Sequence, residues 1–243
     1  MHPQPQALEG SGPKRAVALK GGARLWGFFG EVILREGKAV RIVLRKGKEG
    51  WQAAATVRPT SAFSENPHLL LLLTALFALS TLWWAGPPQP SYALIPLFVL
   101  GFWALILRPF PQVLRHHALE HRVLEAVARW CDGERWDDDY RYLAEKVTDW
   151  SWACGSVLFA AAALVAVPLF LVLPPIGVLP LALALGDELR AWAQSRPQSP
   201  LHRLFLRVQL LFLRPPMEDE LRAGAMAVRR AIEACGKLEP GSR

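Results

Sequence analysis

Residues 151–192 read SWACGSVLFAAAALVAVPLFLVLPPIGVLPLALALGDELRAW. Ser151 to Leu173 is an almost unbroken apolar run of spanning length, bordered by the indoles of Trp150 and Trp152, which favour a membrane–water interface. Pro174-Pro175 predicts a tight turn. Ile176 to Leu185 then starts a return segment, and to cross about 30 Å of hydrocarbon it must continue through Asp187 and Glu188 to about Trp192. Upstream, Pro67 to Ala85 is a second apolar run that ends in Trp83-Trp84. Gly86-Pro87-Pro88-Gln89-Pro90 turns the chain without charge, Ser91 to Leu107 runs back with Pro96 as a tolerated kink, and Arg108 stops it. The two hairpins, 67–107 and 151–192, predict an all-α membrane protein with four transmembrane helices.

The composition agrees with that expectation. The 243 residues are 52% hydrophobic and 20% charged, and the two kinds are segregated along the chain. The net charge of +7 lies around the apolar runs, which suits anionic lipid. No motif for sequence-specific nucleic-acid recognition is present. Lys14, Lys20, Arg35, Arg41, Arg45 and Lys46 precede the first span, Arg108, Arg115 and Arg122 follow the second, and Arg196, Arg203 and Arg207 follow the fourth. The exterior turns carry no basic residue, so the positive-inside rule predicts a multi-pass cytoplasmic-membrane protein with both termini cytosolic. No signal-peptide core is visible in the first sixty or so residues. Cys131, Cys154 and Cys235 are odd in number and scattered, which predicts reduced thiols.

Outside the hairpins, residues 1–13 read as a disordered tail. Residues 14–60 read as a small basic β-containing unit. In it Phe28–Leu34 and Ala39–Arg45 form strands joined at Gly37, and Val40, Ile42 and Leu44 share one face. Residues 108–150 read as a cytosolic helical segment: one helix from about Val113 to Cys131, a turn at Asp132-Gly133, and a second helix from about Asp137 to Val147, capped by Asp137 or Asp138. Residues 199–236 read as an interfacial amphipathic helix over Pro200 to Leu213, carrying Arg203, Arg207 and Arg214, and then a cytosolic helix from Glu218 to Ala234.

The chemistry-bearing motif is His117-Ala118-Leu119-Glu120-His121, an H-x-x-E-H string. Histidines four apart share a helix face and can hold one ion, and the glutamate between them can activate a metal-bound water. Cys154 opens the third span and Glu188 closes the fourth. The topology therefore predicts a metal site of His117, His121, Glu188 and Cys154 at the cytosolic membrane surface, with Glu120 as catalytic base. The ion expected is divalent, zinc foremost. The bland alternative is a helix face of satisfied polar groups, because His116 and Glu120 are also four apart. Two functions follow: a membrane-embedded metal-dependent hydrolase, or a non-enzymatic scaffold or assembly factor acting on membrane proteins, lipids or ribosomes.

The string His116-His117-Ala118-Leu119-Glu120-His121-Arg122 resembles the YHGAEHK signature of the YqhQ family of bacterial membrane proteins. Ser151-Trp152-Ala153-Cys154-Gly155-Ser156 resembles the family's HPRCGTS, Asp187-Glu188-Leu189-Arg190 its YELLR, and Arg214 to Leu221 its REPDDDQLEVAI. Gly21-Gly22 answers its opening GGQAVIEG. The resemblance implies a bacterial cytoplasmic-membrane protein of a family described as predicted metal-dependent enzymes, whose genes neighbour those of a ribosomal protein and a release factor. Ser151, His116 and Asp187 replace a histidine and two tyrosines of the family pattern, and its opening glutamate has no match near Gly27. This looks like a divergent member that keeps His117, Glu120, His121, Cys154 and Glu188.

Overall fold

A computed structural model describes residues 16–34, 38–59, 90–152 and 154–236. The expected tail 1–13, the turn at Gly37 and the first expected span, 67–85, lie outside the described residues.

Four antiparallel strands, β1 (Ala16–Arg24), β2 (Gly27–Leu34), β3 (Lys38–Gly47) and β4 (Gly50–Pro59), form a meander in the order β1-β2-β3-β4. The period-2 pattern sets its faces. Phe28, Val32, Val40, Ile42 and Leu44 are fully buried on one face. On the other, Glu31 opposes Arg41 in register and is ion-paired to Arg41 and Arg58. After a 3₁₀ turn at Pro90–Leu94 come seven helices: α1 (Ile95–Leu107), α2 (Pro111–Cys131), α3 (Asp139–Glu145), α4 (Gly155–Val172), α5 (Pro175–Gln194), α6 (Pro200–Leu210) and α7 (Glu218–Gly236).

Helices α2 and α7 cover the apolar face of the sheet. Leu119, Val123 and Val127 of α2 and Ala227, Val228 and Ala231 of α7 complete that core. Proline within the first turn suits the start of α2. The buried Glu220 ties the layers together: it accepts hydrogen bonds from Arg115 Nε at 3.2 Å and from the Met217 backbone N–H at 2.8 Å, and its carboxylate lies 3.4 Å from His116 Nε2. Burial alone would raise its pKa, but His116, the Met217 N–H and Arg115 together hold it below the ordinary carboxylate value. Asp138 caps α3 by accepting from the Tyr140 and Arg141 N–H groups.

A second, apolar lobe holds α4 and α5 as a hairpin turned at Pro174. Its helices approach closely because their contact faces are small: Ala161, Ala162 and Ala166 against Ala182 and Gly186. A Cβ on Gly186 would stand 2.6 Å from the Ala162 backbone nitrogen. Helix α6 docks on α4 through the buried Phe205, and Gln209 on the same face is also buried.

The expectation of an all-α, four-span protein is corrected on both counts. The sheet makes the chain mixed α and β. Among the described residues, one helix, α4, is long and apolar enough to cross a membrane. Helix α1 has 13 residues, about 20 Å of rise against the roughly 30 Å needed, and the chain turns through 106° between it and α2. Helix α5 is long enough but carries Asp187, Glu188 and Arg190 in its second half. Its buried Asp187 accepts from Arg190 Nε at 2.8 Å, so the charges are satisfied within the protein.

Gly186→Val tests the small-residue hairpin. The Ala162 backbone cannot yield, so a loss of about 1–3 kcal/mol of stability is expected in thermal unfolding of the purified chain. An unchanged midpoint would show that the two helices can separate without cost.

Candidate metal centre

The H-x-x-E-H string lies at the middle of α2, where the helix passes beneath β1 and meets the start of α4. Its two imidazoles stand beside each other, with ring centroids 4.3 Å apart. Cys154 is the N-cap of α4, and its sulfur accepts from the Ser156 backbone N–H at 3.4 Å. One ligand atom from each of His117, His121 and Cys154 lies within 4.8 Å of the other two. His117 Nε2 is already 3.2 Å from Cys154 Sγ. Zinc–nitrogen and zinc–sulfur bonds of about 2.0–2.3 Å separate tetrahedral donors by roughly 3.3–3.8 Å, so closure on one ion needs shifts of about 1 Å or less.

The remaining ring nitrogens are occupied, and this decides which atoms face the centre. His121 Nδ1 donates to the Asp149 carbonyl at 2.6 Å, and His117 Nδ1 donates to Glu120 Oε2 at 3.2 Å. Carbonyl and carboxylate oxygens only accept, so each Nδ1 bears a proton. That leaves the Nε2 atoms for the side of Cys154, where binding of a metal would release any proton they carry. Two imidazoles beside one sulfur, each held from behind, make a group that can hold a metal ion.

The segment that delivers Cys154 is fixed through its carbonyls. His121 holds Asp149 O, Gln209 Nε2 holds Ser151 O at 3.0 Å, and Arg190 holds Trp152 O. Arg122 binds the Asp149 carboxylate and also the Leu143 carbonyl. On the opposite side, β1 closes the site with Gly21. A Cβ there would fall 1.8 Å from Glu120 Oε1, so only glycine leaves room for the carboxylate. The cavity is about 50 Å³ and is lined by His117, Glu120, His121, Cys154, Gly21 and Ser151, among others, which is room for an ion and a water.

Electrostatics bind the site further in the metal-free chain. Burial pushes the His117 imidazolium toward deprotonation, but hydrogen bonds and charge from Cys154 and Glu120 outweigh it and raise the pKa to about 10. Burial likewise pushes the Cys154 thiol up, and His117 and His121 outweigh it and bring it down to about 4.

Of the expected ligands, three converge and one does not. Glu188 is exposed and lies outside this group of ligand atoms. Successive residues on a helix point about 100° apart, so burying Asp187 turns Glu188 outward. The acid that serves the site from α5 is Asp187, which orients Arg190 onto the Trp152 carbonyl. Glu120, expected as a base, is buried and orients His117. Arg190, Gln209, Asp149 and Gly21 had no motif of their own, although Gly21-Gly22 and Asp187-Glu188-Leu189-Arg190 carried part of the family resemblance. Among the described residues the cysteines form no disulfide. Cys131 and Cys235 nonetheless meet in the core with sulfurs 3.5 Å apart.

The two shifts predict a pH profile for metal-free protein. The lowered thiol contributes stability that is fully present above its unfolded value of 9.0 and is lost as pH falls through about 4. The raised imidazole contributes stability that is fully present below 6.5 and is lost as pH rises through about 10. Stability should therefore plateau between 6.5 and 9.0 and decline on either side. The thiolate absorbance, taken as the difference from Cys154→Ser, should persist down to about pH 4. In His117→Ala/His121→Ala it should vanish near the ordinary thiol value of about 8.5. A wild-type midpoint at the ordinary value would overturn the pairing.

No family model matches this chain, and neither the curated proteins nor the solved structures contain a significant match.

Proposed function

We propose that the chain is a membrane-seated metalloprotein in which His117, His121 and Cys154 hold one divalent ion. Zinc is the ion that best suits one thiolate and two imidazoles. The observation that supports this reading is that one ligand atom each of His117, His121 and Cys154 lies within 4.8 Å of the other two, with His117 Nε2 3.2 Å from the sulfur, while both Nδ1 atoms are hydrogen-bonded. Three protein ligands with a small adjoining cavity is the donor count of catalytic rather than structural zinc sites, and this supports a hydrolase. When bound, the ion would supply Lewis acidity at its fourth position. The chain's own residues do the rest. Glu120 fixes the His117 tautomer and is the carboxylate that lines the cavity, where it can take a proton from water. Asp149, Gln209 and Arg190 hold the sulfur's segment, and Leu19 and Leu124 restrict water on the sheet side.

Helix α4 supplies the membrane seat in this reading, and the basic sheet and the polar start of α2 would face the cytosol. The resemblance to the YqhQ family supports the same residues and the same compartment, the bacterial cytoplasmic membrane. A second reading, a scaffold for membrane proteins or ribosomes, is favoured by the exposed Leu204, Leu210, Arg203 and Arg207 of α6.

Metal analysis of the purified full chain separates the two readings. About one equivalent of zinc is expected in wild type, near none in His121→Ala or Cys154→Ser, and roughly tenfold or more weaker retention in Glu120→Gln, which loosens the His117 tautomer. Equal, sub-stoichiometric metal in wild type and the ligand variants would remove the metal centre and leave the scaffold.

A further inference from the structure

A groove of about 430 Å³ opens where α1 meets α2, and it belongs to no part of the metal centre. Its apolar walls are Ala104 and Leu105 of α1 on one side and Leu210 and Leu211 at the end of α6 on the other. Leu105, Leu210 and Leu211 are 66%, 61% and 58% exposed. Arg108 and Arg214 stand in its lining, and both are exposed. Among the described residues, neither guanidinium is ion-paired with a carboxylate. This contrasts with Arg115, Arg122 and Arg190, each of which meets an acid. The position of Arg214 is built in, because its backbone N–H donates to the Leu114 carbonyl at 3.3 Å and so pins the segment after α6 to the first turns of α2. Arg108 sits at the 106° corner where the apolar α1 gives way to the polar α2.

The geometry points to a binding site for one anionic glycerophospholipid, with its phosphate between Arg108 and Arg214 and an acyl chain along Leu105, Leu210 and Leu211. The chemistry matches at both ends. Two uncompensated cations lie at the border between an apolar and a polar helix, which is the level of lipid headgroups, and the open leucines below them would otherwise meet water. A free phosphate would satisfy the arginines and leave the leucine groove unused, so the ligand is a lipid. This inference rests on the membrane seat proposed above and is independent of the metal.

The test uses the full chain in non-ionic detergent. The protein is equilibrated with mixed micelles of equal phosphatidylglycerol and phosphatidylcholine and repurified, and the retained lipid is counted by mass spectrometry. Wild type is expected to retain close to one phosphatidylglycerol, enriched roughly tenfold or more over phosphatidylcholine, since two juxtamembrane cations both favour anionic lipid. The enrichment should fall to parity in Arg108→Gln/Arg214→Gln and survive in Arg203→Gln/Arg207→Gln, whose arginines lie outside the groove. Leu105→Asp/Leu210→Asp should lose the lipid altogether. Parity in wild type, enrichment that survives the Arg108/Arg214 change, or equal loss in both arginine pairs overturns the site. Retention of neither lipid, as when another segment of the chain fills the groove, overturns it as well. A carbonate wash of whole membranes reports the membrane seat separately: a protein that stays in the pellet yet shows no lipid preference loses this site alone.

Discussion

The Asp149–Cys154 segment is held by hydrogen bonds from three different helices, and the rest of the arrangement depends on that convergence. An irregular segment between two lobes presents bare carbonyls, and buried carbonyls must find donors. Here the donors are His121 from α2, Gln209 from α6 and Arg190 from α5. Each bond joins the segment to a different helix. Together they bring the sheet lobe and the apolar lobe to one point and place Cys154 at the start of α4, facing two imidazoles. Each of these bonds is worth only about 1 kcal/mol net, more for the arginine. Their importance is geometric: they set where the Cys154 sulfur stands relative to the two imidazoles.

Charge within the apolar lobe follows the same economy. Asp187 is buried on a helix whose first half is apolar, a placement that costs free energy unless the charge is met. Arg190, one turn on, meets it through Nε and Nη2 and turns its remaining nitrogen, Nη1, to the Trp152 carbonyl. The pair that looks like an intrusion of polarity into an apolar helix is thus a strut beneath the His117–His121–Cys154 group. Glu220 plays a comparable part in the other lobe, where Arg115, His116 and the start of α7 meet on one carboxylate.

Much of this was legible in the sequence, and the failures have physical causes. The alternation of Val40, Ile42 and Leu44 gave β3 its buried face, and the spacing of His117 and His121 with the place of Cys154 gave the three convergent ligands. Strands β1 and β4 were not read, because AVALKGGAR and GWQAAATVRP are rich in glycine and alanine, which carry little strand propensity. Hydropathy alone overstates the number of spans. Apolar runs at 95–107 and 176–185 resemble spans, yet the chain ends the first after 13 residues and loads the second with paired charges. Asp187 and Glu188 look alike in one dimension, and only the helical phase separates the buried acid from the exposed one. Gln209 and Arg190 act on backbone carbonyls, which leave no mark in a sequence.

Gly21 has one further consequence. Its missing side chain and the Glu120 carboxylate fill the same volume, on a strand and a helix far apart along the chain. Positions 21 and 120 therefore cannot drift independently. A methyl group at 21 becomes tolerable only alongside a shorter or retracted acid at 120, which would relinquish the grip on His117. Lineages of this fold should exchange bulk between the two positions as a unit, and a pair that has both grown a side chain at 21 and kept a full-length acid at 120 should have shifted the strand away from the helix.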